Sequence, residues 1–132
     1  MRLVNPGTGE VSDRLTILAL KILAGRQAQQ DVAHFETERT TLLQKIHART
    51  LNAMWFDALL ELAAVNGLLW HAEDDLRGWR DQAEGKIEDC DQAAQEEIGG
   101  IAFRIQHLND KRAELVRQIN RDAGDAADRE KL

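Results

Sequence analysis

The chain has 132 residues, of which 43% are hydrophobic and 30% are charged, and its formal net charge is -6 at pH 7. This length and balance predict one folded domain and exclude a disordered chain. The negative charge argues against a nucleic-acid binder and against docking on an anionic membrane, because both need a concentrated basic surface.

The composition favours helices over sheet. Tyrosine is absent and Pro6 is the only proline, so nothing after it interrupts a helix in the way that proline does. We therefore predict an all-α fold, an antiparallel bundle of three to four long helices. Residues 1–121 form the single domain, and the tail 122–132, which lacks an apolar stripe, is expected to fray.

The first two predicted helices cover residues 10–24 and 27–47. In the first, apolar residues recur at spacings of three and four, which places them on one helical face. Thr8 or Ser12 is predicted to cap its start, and Gly25 to stop or kink its end. The second helix has sparse apolar positions and a wide polar face.

The third predicted helix covers residues 52–83 and the fourth starts between residues 91 and 101 and ends near 121. Residues 84–100 form the predicted turn region, with Gly85, Gly99 and Gly100 as helix breakers. In the third helix, Asn66 and Glu73 occupy positions of the apolar seam, which predicts that Glu73 points inward. In the fourth, Arg112 stands where an apolar residue is expected.

These polar residues, at positions where the pattern calls for apolar ones, predict a polar seam between the helices. Because an isolated buried charge is very unfavourable, its members should pair or line a wet cleft, and Glu73 with Arg112 is the first expected pair. One interpretation is a structural layer that sets the register of the helices. The other is a pocket for a small polar or anionic ligand. The candidate cluster comprises Glu10, Asp13, Arg14, Lys21, Asn66, Trp70, Glu73, Asp74, Asn109 and Arg112.

The segments PGTGEVSDRLTILALK (6–21), LAAVNGLLWHAEDDLR (62–77) and LNDKRAELVRQIN (108–120) resemble a family of uncharacterised bacterial proteins, a domain of unknown function. Its pattern reads P-x-E-x-x-D-[KR]-[LI]-T-I-L-x-x-K, V-N-x-x-L-W-x-x-E-D-x-[LI]-R and N-D-x-R-A-x-L-x-x-x-I-N. The resemblance implies no reaction. It adds Thr16, Arg77, Asp110 and Asn120 to the patterned polar positions. The GTGE spacing after Pro6 departs from the pattern.

The sequence gives only weak indications of a metal site or of a reactive histidine or cysteine. Glu10 and Asp13 with Glu73 and Asp74 could form a Mg²⁺ cluster, but neighbouring Arg and Lys residues compete for these acids. We expect no metal and no cofactor. The four histidines lack the spacing of a helical metal site and are expected at the surface. The lone Cys90 is expected to be a spectator thiol.

The leading hypothesis is a non-catalytic helical binding or interaction module. The alternative is a small enzyme for a phosphorylated or sugar-containing substrate, with Glu73 as acid/base and Arg14, Lys21 and Arg112 holding the anion. A third class, a scaffold, predicts an exposed apolar stripe on the second or third helix. Long helices with sparse stripes favour a homodimer, and the absence of an apolar signal core predicts a cytoplasmic protein without a membrane span.

Overall fold

The computed structural model describes residues 6–49, 51–82 and 91–125. They form α1 (Thr8–Gln27), α2 (Ala33–His47), α3 (Ala53–Gln82) and α4 (Gln92–Ala123), with no strand in the described ranges. The predicted all-α bundle is confirmed. Helices α1 and α2 run antiparallel, because Arg14 pairs with Glu38 and Lys21 lies over Phe35. Helices α3 and α4 also run antiparallel, because Glu61 pairs with Lys111 and Asp75 lines a groove with Arg104.

Helix α1 is the centre of the bundle, because it packs against α2, α3 and α4. One apolar cluster lies between α3 and α4, and a second lies between α1 and α2. Trp55 contacts both, so it joins the two halves of the core. The buried members are Ala58, Leu62, Val65, Leu69, Leu115 and Ile119 in the first cluster and Val11, Leu18, Leu42 and Ile46 in the second.

The ends of α1 differ from their prediction. Neither Thr8 nor Ser12 is the N-cap, since the cap position is Gly7 and the Thr8 hydroxyl donates to Asp125 instead. Gly25 does not stop the helix either. It is buried inside α1, and a Cβ there would lie 2.4 Å from Cγ1 of Val32. The glycine therefore permits the close return of the chain towards α2.

Helix α4 begins at Gln92, within the predicted range of 91–101, but the prediction of Gly99 and Gly100 as helix breakers is wrong. Asp91 caps the helix by accepting a hydrogen bond from the Ala94 amide, at 2.7 Å. Gly99 and Gly100 lie within the helix and do not break it, because the backbone conformation is set by the packing of the neighbouring Ile98 and Ile101, both buried. Gly85 and Cys90 lie outside the described residues.

The predicted frayed tail is wrong for its first residues. Helix α4 continues to Ala123, and Gly124 adopts the left-handed conformation with φ 80°, which closes the helix C-terminus. Asp125 then reaches back to α1. The remaining part of the predicted tail, 126–132, lies outside the described residues.

By length and composition alone, α3 meets the criterion for a membrane-spanning helix, with a mean hydropathy of 1.2 over its most apolar 18 residues. Only 28% of that window is buried in the bundle. Core helices of soluble proteins pass the same test, so the predicted absence of a membrane span stays a prediction. The low buried share does show that α3 carries more apolar surface than its neighbours cover.

Candidate functional site

Asp13 is the centre of the polar contacts between α1, α3 and α4. Its carboxylate accepts three hydrogen bonds from Arg112 of α4, the shortest from Nη2 at 2.6 Å. It also accepts one from the Asn66 side-chain amide of α3, at 2.8 Å. The same Asn66 nitrogen donates to the Thr16 hydroxyl at 2.8 Å, and that hydroxyl donates to the Asp13 carbonyl. We call Asp13, Thr16, Asn66 and Arg112 the polar cluster.

The polar cluster is paired and largely dry. The side chain of Asp13 is 13% exposed and that of Arg112 is 33% exposed. In the described part of the chain, every buried side-chain nitrogen or oxygen has a hydrogen-bond partner. The guanidinium faces the carboxylate through two of its nitrogens, the geometry that gives strong, oriented pairs. These donors and acceptors are satisfied within the protein, as a structural layer requires.

A second set of polar contacts holds the start of α1 against the end of α4. The Asn120 side chain accepts from the Gly9 amide at 2.7 Å and donates to both carboxylate oxygens of Glu10 at 2.9 Å. The Asp125 carboxylate accepts from the amide and the hydroxyl of Thr8. Arg49 closes the set by donating to the Thr8 hydroxyl at 2.8 Å and to the Pro6 carbonyl.

This arrangement, which we call the α1 clasp, consists of Thr8, Gly9, Glu10, Arg49, Asn120 and Asp125. The first amides of any helix lack partners within the helix, and here side chains of α4 and the segment after it supply them. A carboxylate at this end also opposes the partial positive charge of the helix N-terminus. The resemblance had marked Glu10 and Asn120; sequence reasoning missed Asp125 and Arg49, which no local pattern distinguishes.

The predicted Glu73–Arg112 pair is wrong, since Arg112 binds Asp13 and Glu73 is exposed. On α3, the side that faces α1 is in contact at Trp55 and Asn66. Glu73 lies two turns beyond Asn66 along the same side of α3, and it is exposed. The periodicity of α3 therefore correctly placed Glu73 on the side of the helix that carries Trp55 and Asn66. At the position of Glu73, however, that side is exposed to solvent.

The two other predicted anion-binding cations point towards α2. The Arg14 guanidinium donates to both carboxylate oxygens of Glu38, at 2.7 and 2.9 Å. These hydrogen bonds lower the pKa of the Glu38 carboxyl and raise the pKa of Arg14. Lys21 lies over the ring of Phe35, with Nζ 5.4 Å from its centroid. Neither cation joins Arg112, so the predicted anion site does not form.

The remaining predicted site residues lie outside both polar sets. Asp74 pairs with Arg77 on the exposed surface of α3, Asn109 is exposed, and Trp70 is half-buried. Among the residues that the structure describes, no group of three or more His, Cys, Asp or Glu side chains is placed to hold a metal ion. Of the ten candidates, the polar cluster and the clasp bring together Glu10, Asp13, Asn66 and Arg112.

The outer face of α3 is the other feature that neither polar set explains. Phe56, Leu60 and Leu68 are 54%, 55% and 57% exposed, and Phe103 of α4, which lines a groove together with Leu68, is 72% exposed. Phe56, Leu60, Ala64 and Leu68 follow at intervals of four residues, so they form a row that turns gradually about the helix. We call these four residues the α3 stripe. It begins at Phe56, on the side away from the core cluster, and ends at Leu68, on the edge of the groove with α4.

The α3 stripe leads into a groove between α3 and α4, with a volume of about 370 Å³. The floor and walls are mainly apolar, and charged or titratable side chains stand at its rim. Its lining residues are Leu68, His71, Ala72, Asp75, Phe103, Arg104, His107 and Leu108. Sequence reasoning anticipated an apolar stripe on helix two or three for a scaffold, but not this groove, which requires the pairing of α3 with α4.

Over residues 6–49, 51–82 and 91–125, the fold and these surfaces define a bundle of four helices with an internal polar cluster and an uncovered apolar face on α3. Comparison of the chain with protein families, with curated proteins and with solved structures finds no match. The resemblance to a family of uncharacterised bacterial proteins, and the bacterial origin that it implies, therefore stay predictions.

Proposed function

We propose that this protein is a non-catalytic helical interaction module, in which the polar cluster and the α1 clasp hold the helices in register and the outer face of α3 binds a partner. The observation that carries the proposal is the exposure of Phe56, Leu60, Leu68 and Phe103, each of which is more than half exposed. Contiguous apolar surface of this kind marks interaction sites in soluble proteins.

The pairing of the polar residues supports the same proposal. A binding pocket needs donors or acceptors free to meet a ligand, whereas Arg112, Arg14 and Lys21 are engaged by Asp13, Glu38 and Phe35. The alternative of a small enzyme acting on an anionic substrate in the seam depended on Glu73 and these three cations meeting. No observation in the described residues favours that alternative.

The test is photo-cross-linking in the cells from which the protein comes. A photoreactive amino acid replaces Leu68 on the α3 stripe or, as a matched control, Leu23 on α1, which is also 57% exposed. We expect a discrete protein adduct, identified by mass spectrometry, at position 68 and none at position 23. Equal labelling at both positions, or none at either, would overturn the proposal.

A further inference from the structure

We propose that the partner of the α3 stripe is a second copy of this chain, packed antiparallel across a two-fold axis near Ala64. This inference rests on the proposed function and names its partner. Two-fold symmetry requires one surface to be complementary to itself. In an antiparallel pair of helices centred on Ala64, residues equally distant from it on either side face each other.

The apolar side chains of the stripe satisfy that requirement. About Ala64, Leu60 of one copy faces Leu68 of the other, and both lie within about 40° of Ala64 around the helix. The centre of the contact carries small residues, Ala64 and Gly67, and a Cβ added at Gly67 would meet nothing within 4 Å in the single chain.

The charges at the edge of the stripe are complementary in the same arrangement. Asp57 is exposed beside Phe56, and the residue equally distant from Ala64 on the other side is His71. Arg104 and His107 of α4 line the groove next to His71. The acidic end of the stripe in one copy therefore meets the basic end in the other. Asp75, also at the groove, faces the uncharged Ala53 in this register.

The contact is long enough for a continuous helix–helix seam. From Asp57 to His71, which both lie close to the line of Ala64 along the helix, it measures about 21 Å at 1.5 Å per residue. Leu60 and Leu68 are more than half exposed and Phe103 is 72% exposed, so each copy has apolar surface to bury in this contact.

The first experiment measures the mass of the full chain by light scattering and sedimentation between about 1 and 300 µM. We expect the mass to rise from 14.9 kDa to twice that value. Leu68→Asp should raise the dimer dissociation constant at least tenfold, and Leu23→Asp, at the same 57% exposure, should leave it unchanged. Circular dichroism verifies that both variants fold. A monomer throughout, or equal effects of the two variants, would overturn the inference.

The second experiment tests the register through charge reversal. Asp57→Arg should weaken the dimer by placing a like charge beside His71 and Arg104 of the other copy, and the double variant Asp57→Arg with His71→Asp should restore it. A dimer that is weakened by the first change and not restored by the second contradicts this register. In a Cys90→Ser background, Ala64→Cys should also form an intermolecular disulfide, which an axis elsewhere would prevent.

Failure of this inference can be told apart from failure of the proposed function. If the purified protein is a monomer but position 68 cross-links to a different protein in cells, the module has another partner and the second copy is wrong. Flotation with vesicles of phosphatidylcholine and phosphatidylglycerol adds a further arm. If the monomer floats with the vesicles, and Leu68→Asp abolishes flotation whereas Leu23→Asp does not, the stripe binds a lipid surface. That result would overturn both proposals.

Discussion

At the residue scale, Asp13 holds three helices together, because its carboxylate accepts from Arg112 of α4 and from Asn66 of α3 while its carbonyl accepts from Thr16. Each of these groups would be costly to bury without a partner. The contribution of Asp13 therefore depends on the other members of the polar cluster, and loss of the carboxylate leaves the Arg112 charge poorly compensated.

Asp13→Asn should lower the free energy of unfolding by roughly 3 kcal/mol, the lower end expected for breaking a buried ion pair, since Arg112 keeps one-third of its exposure. Urea unfolding followed by circular dichroism measures the change. The matched control is Asp74→Asn, which breaks the exposed pair with Arg77 and should cost below about 1 kcal/mol. Equal losses in the two variants would contradict a central role for Asp13.

At the scale of elements, α1 depends on α4 for the start of its helix. Gly9 lies so close to α4 that a Cβ there would be 2.3 Å from the Val116 carbonyl oxygen. The left-handed Gly124 turns the chain so that Asp125 reaches Thr8. The GTG segment, which departs from the resembled family pattern, thus serves the contact of α1 with α4 through its glycines.

Gly9→Ala should therefore destabilise the protein by roughly 1–3 kcal/mol, the usual cost of overpacking. The same substitution at Gly99, inside α4, meets nothing within 4 Å and should stabilise by about 0.5–1 kcal/mol through helix propensity. Thermal and urea unfolding of both variants give the comparison. If Gly9→Ala were as stable as the parent, the close contact of α1 with α4 would not exist in solution.

The ion pair between Arg14 of α1 and Glu38 of α2 makes a pH-dependent contribution to the free energy of unfolding. The Arg14 hydrogen bonds lower the pKa of Glu38 below its ordinary value of 4.5, so the unfolded chain binds more protons than the folded one near that pH. The stabilisation is complete above the unfolded pKa and is lost as the pH falls through the folded pKa. Because the side chains of Arg14 and Glu38 are partly exposed, this stabilisation stays below about 1 kcal/mol.

The stability difference between the parent and Glu38→Gln should accordingly be largest near neutral pH and should shrink below about pH 4.5. Urea unfolding at several pH values measures it. Glu36→Gln is the control, because Glu36 pairs with Arg26 at a more exposed position. A difference that grows on acidification would show that Glu38 is not held as a carboxylate by Arg14.

At the scale of the whole molecule, the bundle leaves part of its most apolar helix uncovered. The core clusters use one side of α3, and the α3 stripe runs from the opposite side to the groove with α4. If a second copy covers that side, folding and association are linked, and the stability of each chain depends on its concentration.

The melting temperature should consequently rise with protein concentration while the dimer is the native species. A hundredfold increase in protein concentration stabilises each chain by about 1.4 kcal/mol through mass action. For a domain of this size, that raises the melting temperature by roughly 4 °C or more. Differential scanning calorimetry of the parent and of Leu68→Asp tests this. The variant should melt at a temperature independent of concentration, as should the parent if no dimer forms.

Much of the fold follows from the sequence, because helical periodicity and the lack of proline are local properties. Helix α3, predicted as 52–83, begins at Ala53, one residue from its predicted start, and continues through Gln82, the last residue described before 91. The prediction for α4 was wrong at Gly99 and Gly100. These glycines do not break the helix, because the neighbouring Ile98 and Ile101 are buried and hold it in place. The polar seam was also anticipated, since Asn66 and Arg112 interrupt apolar patterns.

The sequence by itself determined which face of each helix is apolar and which polar residues interrupt it. Only the tertiary structure decided their partners. Arg112 meets Asp13 instead of Glu73, since Asn66 and Arg112 both reach the Asp13 carboxylate whereas Glu73 is exposed to solvent. The exposed stripe was likewise decided by packing: α3 has apolar residues on more than one side, and α1 and α4 cover only part of them.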